Sequence, residues 1–337
     1  MAVKRINVAV AGAGFMGVTH LRAYQQIPHA RIVAVCDRSR SLENGVLRGV
    51  VGNIQNAAPV RLPGVKMVRD FAELLADPGI DVIDICTPTA LHPAQAVAAL
   101  EAGKHVLCEK PVGVTSAEAR AIARAAGKAR GLLMPAMCMR FWPGWSWLKE
   151  VAASETYGRI LAAQFCRLSA RPAWGNAASH PGGAHLDLHI HDTDFVSFLF
   201  GRPSQVFTRG VCGADGSLDH VVTQYIYPAG PVVQAEGSWL QAAGFNMSFL
   251  VHCERATLDF DLQRGAGALR VVLPGKESKT VKLRGPDGYH AEIRHFIDCV
   301  RQKKTSPIVT AQDAVATLEI CEAEEKSARS GAVVRVR

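Results

Sequence analysis

The sequence predicts an α/β protein: a doubly wound parallel sheet over residues 1–135, then an α+β domain on a mainly antiparallel sheet over residues 136–337. Three observations carry that prediction. Short apolar runs alternate with helical periods through the first part. A glycine-rich turn, Gly12-Ala13-Gly14-Phe15-Met16-Gly17, joins the first apolar run to the first helix. Beyond residue 136 the alternation stops, and β-type runs separated by Gly and Pro take over.

Taken in order, Ile6–Ala11 (INVAVA) is short and apolar enough for a buried strand, and residues 15–26 read as the first helix. Residues 31–36 (RIVAVC) form a second strand and 66–68 a short third. Asp70, with Glu73 three residues on, opens a helix with a capping box. A fourth strand covers 82–86, and Thr87-Pro88 leads into a helix that ends at Gly103. Residues 105–108 are the fifth strand, Thr115 and Glu118 cap the next helix, and 132–136 are the sixth strand. In the second part, aromatic residues cluster at Phe141, Trp142, Trp145 and Trp147, and Gly158 marks a turn into a long strand over 159–169. Residues 184–200 are helix-like, 204–283 carry the β-type runs, and two helices over 291–302 and 311–327 close the chain.

The 337 residues suit two domains, and the 48% hydrophobic and 20% charged composition is that of a soluble globular protein. No apolar run is long enough for a membrane span, and the N-terminus lacks the pattern of a signal peptide. The nine cysteines are odd in number and form no C-x-x-C pair, which points to reduced thiols in a cytoplasmic protein and away from a cysteine zinc site. The net charge of +8 is dispersed; the densest clusters, at Arg38/Arg40 and Arg301/Lys303/Lys304, are short. That surface favours anionic small molecules over nucleic acid or a membrane.

The glycine turn has a specific chemical use. Gly12 permits the tight turn, Gly14 lets the backbone approach a pyrophosphate, and Gly17 lets helix and strand pack closely. The pyrophosphate then meets free N–H groups at a helix N-terminus. Asp37 ends the second strand twenty residues after Gly17, where it would accept hydrogen bonds from ribose hydroxyls and repel a 2′-phosphate. This is a Rossmann pattern, and it favours NAD; Arg38 and Arg40 leave NADP open.

Two further stretches carry titratable groups. Glu109-Lys110-Pro111 lies just past the fifth strand, at the carboxyl end of the sheet, so topology sends Lys110 toward the cofactor. The competing reading is a solvated lysine in a turn. Residues 182–194 (GGAHLDLHIHDTD) crowd three histidines and three acids into ten positions. On a continuous helix Asp187 and His191 share a face with Asp194 below them, and His185 and His189 form a second pair. A histidine beside a carboxylate suits acid/base work near neutral pH. His185-x-x-x-His189 also has metal-ligand spacing, but neither H-E-x-x-H nor H-x-H-x-D-H is complete, and no metal is expected. For His185 and Asp192 taken singly, a framework role is the better reading.

Together these motifs resemble the Gfo/Idh/MocA family, named for glucose–fructose oxidoreductase and inositol dehydrogenase. The resemblance spans nearly the whole chain. It rests on the glycine turn, on Cys86-Thr87-Pro88-Thr89-x-x-His92, on residues 102–111 (AGKHVLCEKP), on Gly182-Gly183-x-x-x-Asp187-x-x-x-His191-x-x-Asp194 and on Gly201-Arg202-Pro203. It implies an N-terminal Rossmann domain, a C-terminal domain with a large open sheet used for homodimer or homotetramer contacts, and an active site between them. It implies that Thr87, Pro88, His92 and Glu109 line the cofactor with Phe15 and Met16, and that Lys110, Asp187 and His191 are catalytic. The expected reaction is hydride transfer between NAD and a hydroxyl-bearing carbon of a sugar, polyol or inositol-like substrate. His191 would take the hydroxyl proton while Lys110 holds the oxygen and Asp187 orients the pair, though the proton-transfer roles of Lys110 and His191 could be exchanged. Arg140, Trp142, Trp174, His189 and Tyr289 are candidate substrate contacts, since sugars are gripped by aromatic faces and polar groups together. His189 stands where the family commonly has a small residue. The rival functions are an NAD-assisted glycosidase and a non-catalytic dinucleotide-binding sensor.

Overall fold

A computed structural model of the chain describes residues 5–49, 58–172 and 182–337. The chain divides into two compact units. In the first, β1 (Ile6–Ala11), α1 (Phe15–Gln25) and β2 (Ala30–Cys36) are followed by a small hairpin, β3 (Val46–Leu47) with β4 (Val60–Arg61). Then come β5 (Lys66–Val68), α2 (Phe71–Ala76), β6 (Val82–Ile85), α3 (His92–Glu101), β7 (His105–Glu109), α4 (Ser116–Lys128) and β8 (Leu133–Ala136). Six strands pair in parallel in the order β5-β2-β1-β6-β7-β8. Numbered along the chain, that order is 3-2-1-4-5-6, the doubly wound Rossmann arrangement, which reverses direction between β1 and β6. The central strands are apolar because both their faces are covered: Val8, Val10, Val82, Ile83 and Ile85 are wholly buried. Both predicted capping boxes form, Asp70 with Glu73 and Thr115 with Glu118.

In the second unit α5 (Pro143–Ala153) precedes β9 (Ile160–Ala170), and α6 (Ile190–Phe200) precedes a run of strands. These are β10 (Gln205–Cys212), β11 (Leu218–Ile226), β12 (Val232–Ser238), β13 (Leu240–Cys253), β14 (Thr257–Asp261), β15 (Leu269–Val272) and β16 (Lys279–Thr280). Helices α7 (Gly288–Gln302) and α8 (Ala311–Ser330) and the short β17 (Val334–Arg335) end the chain. Nine strands form one sheet, β16-β15-β14-β13-β9-β12-β11-β10-β17, antiparallel except where β9 meets β12. Alternate residues of β9, from Ala163 to Ser169, are buried, and those between them are half-open to solvent. On the covered face Trp145 meets Phe249 and Phe260 edge-on, with ring centroids 5.2 and 4.8 Å apart.

One boundary differs from the sequence expectation. Residues Asp287–Val315 belong to the first unit, although they follow the second sheet in sequence. Helix α7 packs on α1, burying Ile293, Phe296, Ile297 and Val300. An apolar stripe of helical period fits any face that needs covering, so its period announces a helix without saying which sheet it serves. Among the described residues, no helix is long and apolar enough to cross a membrane.

Candidate active site

The first unit supplies a dinucleotide cradle. Gly12 has φ +92°, and a Cβ there would strike the Cys86 carbonyl; one at Gly17 would strike the carbonyl of Gly12. Those two glycines are demanded by the protein's own packing. Gly14 is not: a Cβ there meets nothing within 4 Å, and the residue is exposed at the start of α1. No side chain caps that end, and no acid sits in its first turn. Its N–H groups and dipole are therefore presented outward, as a pyrophosphate requires. Phe15 and Met16 lie half-buried beside it.

Asp37 braces this turn. Its carboxylate accepts from the Ala13 N–H at 2.8 Å and from the Ser39 and Arg40 N–H groups at 2.9 Å. Burial pushes its pKa up, but these backbone donors outweigh burial and hold the carboxyl below its usual value. The two neighbouring arginines part company. The Arg40 guanidinium donates to the Ala13 and Arg48 carbonyls and so belongs to the turn, whereas Arg38 is exposed.

Three expected cofactor contacts make framework hydrogen bonds. His92 is buried, with Nε2 2.7 Å from the Thr87 carbonyl and Nδ1 2.8 Å from the Pro111 carbonyl, so it ties together the loops that follow β6 and β7. Burial lowers its pKa, and the neutral ring donates to one of the two carbonyls at a time. The hydroxyl of Thr87 donates to Gln95 Oε1 at 2.6 Å, leaving Pro88 exposed at the loop tip. Glu109 is also buried: one carboxylate oxygen accepts from the Lys110 N–H at 3.0 Å, and the other lies 3.0 Å from Nε2 of His20. Lys110 itself is half-buried between buried Glu109 and buried Pro111, across a cis peptide bond.

The second unit carries the His/Asp stretch. It is not one continuous α-helix: His185–His189 form a widened π turn that runs into α6. Such turns often mark functional sites. From Gly183 to Val196 every residue is buried except Asp187 and His191, which are half-exposed. The accessible face of the segment is thus the pair that sequence spacing singled out. The remaining polar groups are engaged inside. Arg140 is buried and forks onto Asp194 at 2.6 and 2.9 Å, with its guanidinium 4.5 Å from the Phe198 ring centre. Arg167 forks in the same way onto Asp192, at 2.9 and 3.0 Å.

Arg140, expected to contact substrate, is thus held in a buried internal ion pair. His189 departs from expectation too. It is fully buried, with Nε2 3.1 Å from Thr223 Oγ1, 3.3 Å from the Tyr225 hydroxyl and 3.4 Å from Glu324. His185 Nε2 meets the same Glu324 carboxylate at 2.8 Å. Burial pushes Glu324 up, but the two histidines outweigh it and hold the carboxyl far below its ordinary range. Room for the His189 ring comes from Gly237, where a Cβ would lie 2.6 Å from that of His189. Trp142, at the N-cap of α5, and Tyr289, in α7, are half-buried; Trp174 lies outside the described residues.

Sequence reading missed several buried ionisable groups, among them His20, Asp84, Glu292 and Glu324. Asp84 had a signal, an acid inside the apolar strand Val82–Ile85 (VIDI). The others sit at helical positions indistinguishable from solvated ones.

Two family profiles match the chain. One, described as "Oxidoreductase family, NAD-binding Rossmann fold", covers residues 6–137, and the C-terminal domain of the same GFO/IDH/MocA family covers residues 145–259. The chain is 26% identical to scyllo-inositol 2-dehydrogenase (NAD(+)) of Bacillus subtilis (strain 168), over 98% of this chain and 96% of that protein. It is 30% identical to trans-1,2-dihydrobenzene-1,2-diol dehydrogenase of Sus scrofa, over 78% and 82%. Its fold matches that of levoglucosan dehydrogenase in complex with NADH and levoglucosan, with a TM-score of 0.85 over 99% of this chain and 100% of the other, at 23% identity.

Proposed function

This chain belongs to the GFO/IDH/MocA oxidoreductase family, with an NAD-binding Rossmann domain, and on that premise we propose that it is an NAD-dependent dehydrogenase acting on a hydroxyl-bearing carbon of a sugar, polyol or inositol-like ring. The observation that carries the reading is the exposure pattern of residues 183–196: the two groups that reach solvent are a carboxylate and an imidazole, Asp187 and His191. A structural segment has no reason to open that pair alone. The relatives act, by name, on an inositol, a cyclic diol and an anhydrosugar, all of which present ring hydroxyls.

Bound NAD supplies the hydride acceptor, C4 of its nicotinamide. The pyrophosphate is held by the N–H groups around Gly14 at the start of α1, and the adenosine ribose by Asp37. Internal use of Arg40 leaves Arg38 as the one arginine of that pair to meet a 2′-phosphate, which supports NAD over NADP. His191 takes the proton of the reacting hydroxyl, and Asp187 orients the imidazole and balances its charge. Lys110 donates a hydrogen bond to the same oxygen as it gains carbonyl character. Trp142 and Tyr289 are the remaining candidates for gripping the ring. Apolar side chains on the half-open face of the nine-stranded sheet and its edges, among them Leu161, Val232 and Leu250, support homo-oligomer contacts there.

The test is a screen of inositols, sugars, anhydrosugars and cyclic diols with NAD and NADP, followed at the absorbance of the reduced nicotinamide. Turnover with NAD is expected, and His191→Asn should lower kcat by about 10²-fold or more. Tight NADH binding with no turnover on any of these substrates would remove the enzymatic reading. Gly14→Ala should weaken NADH binding while leaving the melting temperature unchanged, because its Cβ meets no protein atom.

A further inference from the structure

Helix α1 buries one face against the sheet, and His20 lies on that face with no exposed surface. Its Nδ1 is 2.8 Å from Oδ2 of Asp84, in the middle of β6. Its Nε2 is 3.0 Å from Oε1 of Glu109, at the end of β7, an ion-pair distance without hydrogen-bond geometry. The other Glu109 oxygen accepts from the backbone N–H of Lys110. A continuous line of polar contacts therefore runs from Asp84 through His20 and Glu109 to the peptide from which the Lys110 side chain departs.

The composition of this line is unusual for a core. Nδ1 is hydrogen-bonded to Asp84, while Nε2 faces Glu109 as an ion-pair contact, so the imidazole meets both carboxylates best when both ring nitrogens carry protons. Burial alone would lower the pKa of His20, but Asp84 and Cys86 raise it well above the ordinary value, in agreement with the geometry. The Cys86 thiol lies 3.5 Å from both His20 Nδ1 and Asp84 Oδ1. Glu292 arrives from α7, fully buried, and neither of its oxygens has a hydrogen-bond partner among the described residues. Burial raises its pKa well above normal, which favours its uncharged form. An apolar side chain would fill the place of His20 without the desolvation cost of a buried charge. What an apolar residue cannot do is hold the Glu109 carboxylate against the Lys110 N–H.

Resting on the reading of Lys110 as a substrate-contacting residue, we propose that His20 is a positioning residue for Lys110, acting through Glu109. Asp84 anchors the imidazole, the imidazole anchors the carboxylate, and the carboxylate fixes the Glu109–Lys110 peptide. Misplacement of a reacting group by about 1 Å costs on the order of 10²-fold in rate.

The experiment compares His20→Asn with His20→Gln. The shorter amide keeps a donor near Asp84 and leaves nothing at the Nε2 position that faces Glu109; the longer amide places an N–H there. His20→Asn should lower kcat by about 30-fold, with substrate KM and the NADH dissociation constant within about 3-fold of wild type, and His20→Gln should recover most of the loss. Wild-type kcat in both variants overturns the inference, and so does an equal loss of kcat and NADH affinity in both. The rate of Lys110 acetylation, mapped by mass spectrometry, reads the same variants without turnover. It should change by at least about 5-fold in His20→Asn and return in His20→Gln, and an unaltered rate overturns the proposal. Should neither variant fold, Glu109→Gln carries the test with the same kcat and acetylation signature expected. Donor atoms of His20, Glu109 and Glu292 lie within 4.8 Å of one another, so stoichiometric divalent metal that disappears in Glu292→Gln would identify a metal centre and also overturn the inference. A wild type that binds NADH but turns over nothing sinks the dehydrogenase reading alone, because the acetylation rates still decide the role of His20.

Discussion

Each unit of this protein buries a histidine–carboxylate cluster next to residues proposed as catalytic, and the two clusters have opposite proportions of acid and histidine. Beneath Lys110, one histidine, His20, faces three carboxyl groups, those of Asp84, Glu109 and Glu292. Beneath Asp187 and His191, one carboxylate, Glu324, faces two histidines, His185 and His189. Burial raises the pKa of a carboxyl group in both places. In the first cluster two other acids stand close by, and Glu292 rises well above its ordinary value. In the second, two imidazoles outweigh burial and Glu324 falls far below it. The same residue type in equally dry surroundings is thus pushed toward the neutral form in one unit and toward the ionised form in the other. The neighbouring groups decide the direction, not the depth of burial.

This contrast makes the two units fail at opposite ends of the pH scale. A carboxyl whose folded pKa is depressed contributes stability that is complete above its unfolded pKa and is lost as pH falls. For Glu324 the loss begins below about pH 4.5. Groups whose folded pKa is raised contribute stability that is complete below their unfolded pKa and is lost as pH rises. For Glu292 the decline starts above about pH 4.5 and for His20 above about pH 6.5.

The sharpest challenge to this comparison is Glu324→Gln. It leaves two buried histidines facing a neutral amide and should cost about 3 kcal/mol at pH 7, with a flattened acid limb in a plot of melting temperature against pH. An unchanged melting temperature would mean that Glu324 does not organise its cluster. Gly237→Ala addresses the same cluster through packing, because its methyl group would press on His189 from 2.6 Å. Chemical denaturation should show a loss of about 2 kcal/mol. The smallest effect has the opposite sign. Glu292→Gln removes a carboxyl that must hold its proton against neutral solution, so it should stabilise the protein by about 1 kcal/mol at pH 8 and change nothing near pH 4. Destabilisation at pH 8 would show that Glu292 is ionised and paired, and the contrast between the clusters would fall.

The parallel sheet was legible because its signals are local. Apolar runs such as Ile6–Ala11, capping boxes at Asp70 and Thr115, and the glycine turn each declare themselves within a few residues. The partial exposure that Asp187 and His191 share agrees with their four-residue spacing, which is likewise a short-range signal. The burial of Arg140 and His189 was not legible because each is a polar side chain whose partner lies far along the chain. Asp194 is 54 residues from Arg140, and Glu324 is farther still from His189. Nothing near those positions distinguishes a group that meets a ligand from one that meets another side chain.

By itself, the sequence determined that the chain opens with a dinucleotide-binding sheet and that a second sheet follows, and it singled out Lys110, Asp187 and His191 as the groups to test. Periodicity, caps and glycine turns are short-range and can be read in order. Tertiary structure alone decided that α7 returns to cover α1, that His92 and Glu109 are tied into the framework, and in which direction each buried acid is shifted. Those outcomes depend on desolvation and on the sum of charges brought together from distant parts of the chain, and neither quantity exists until the chain has folded.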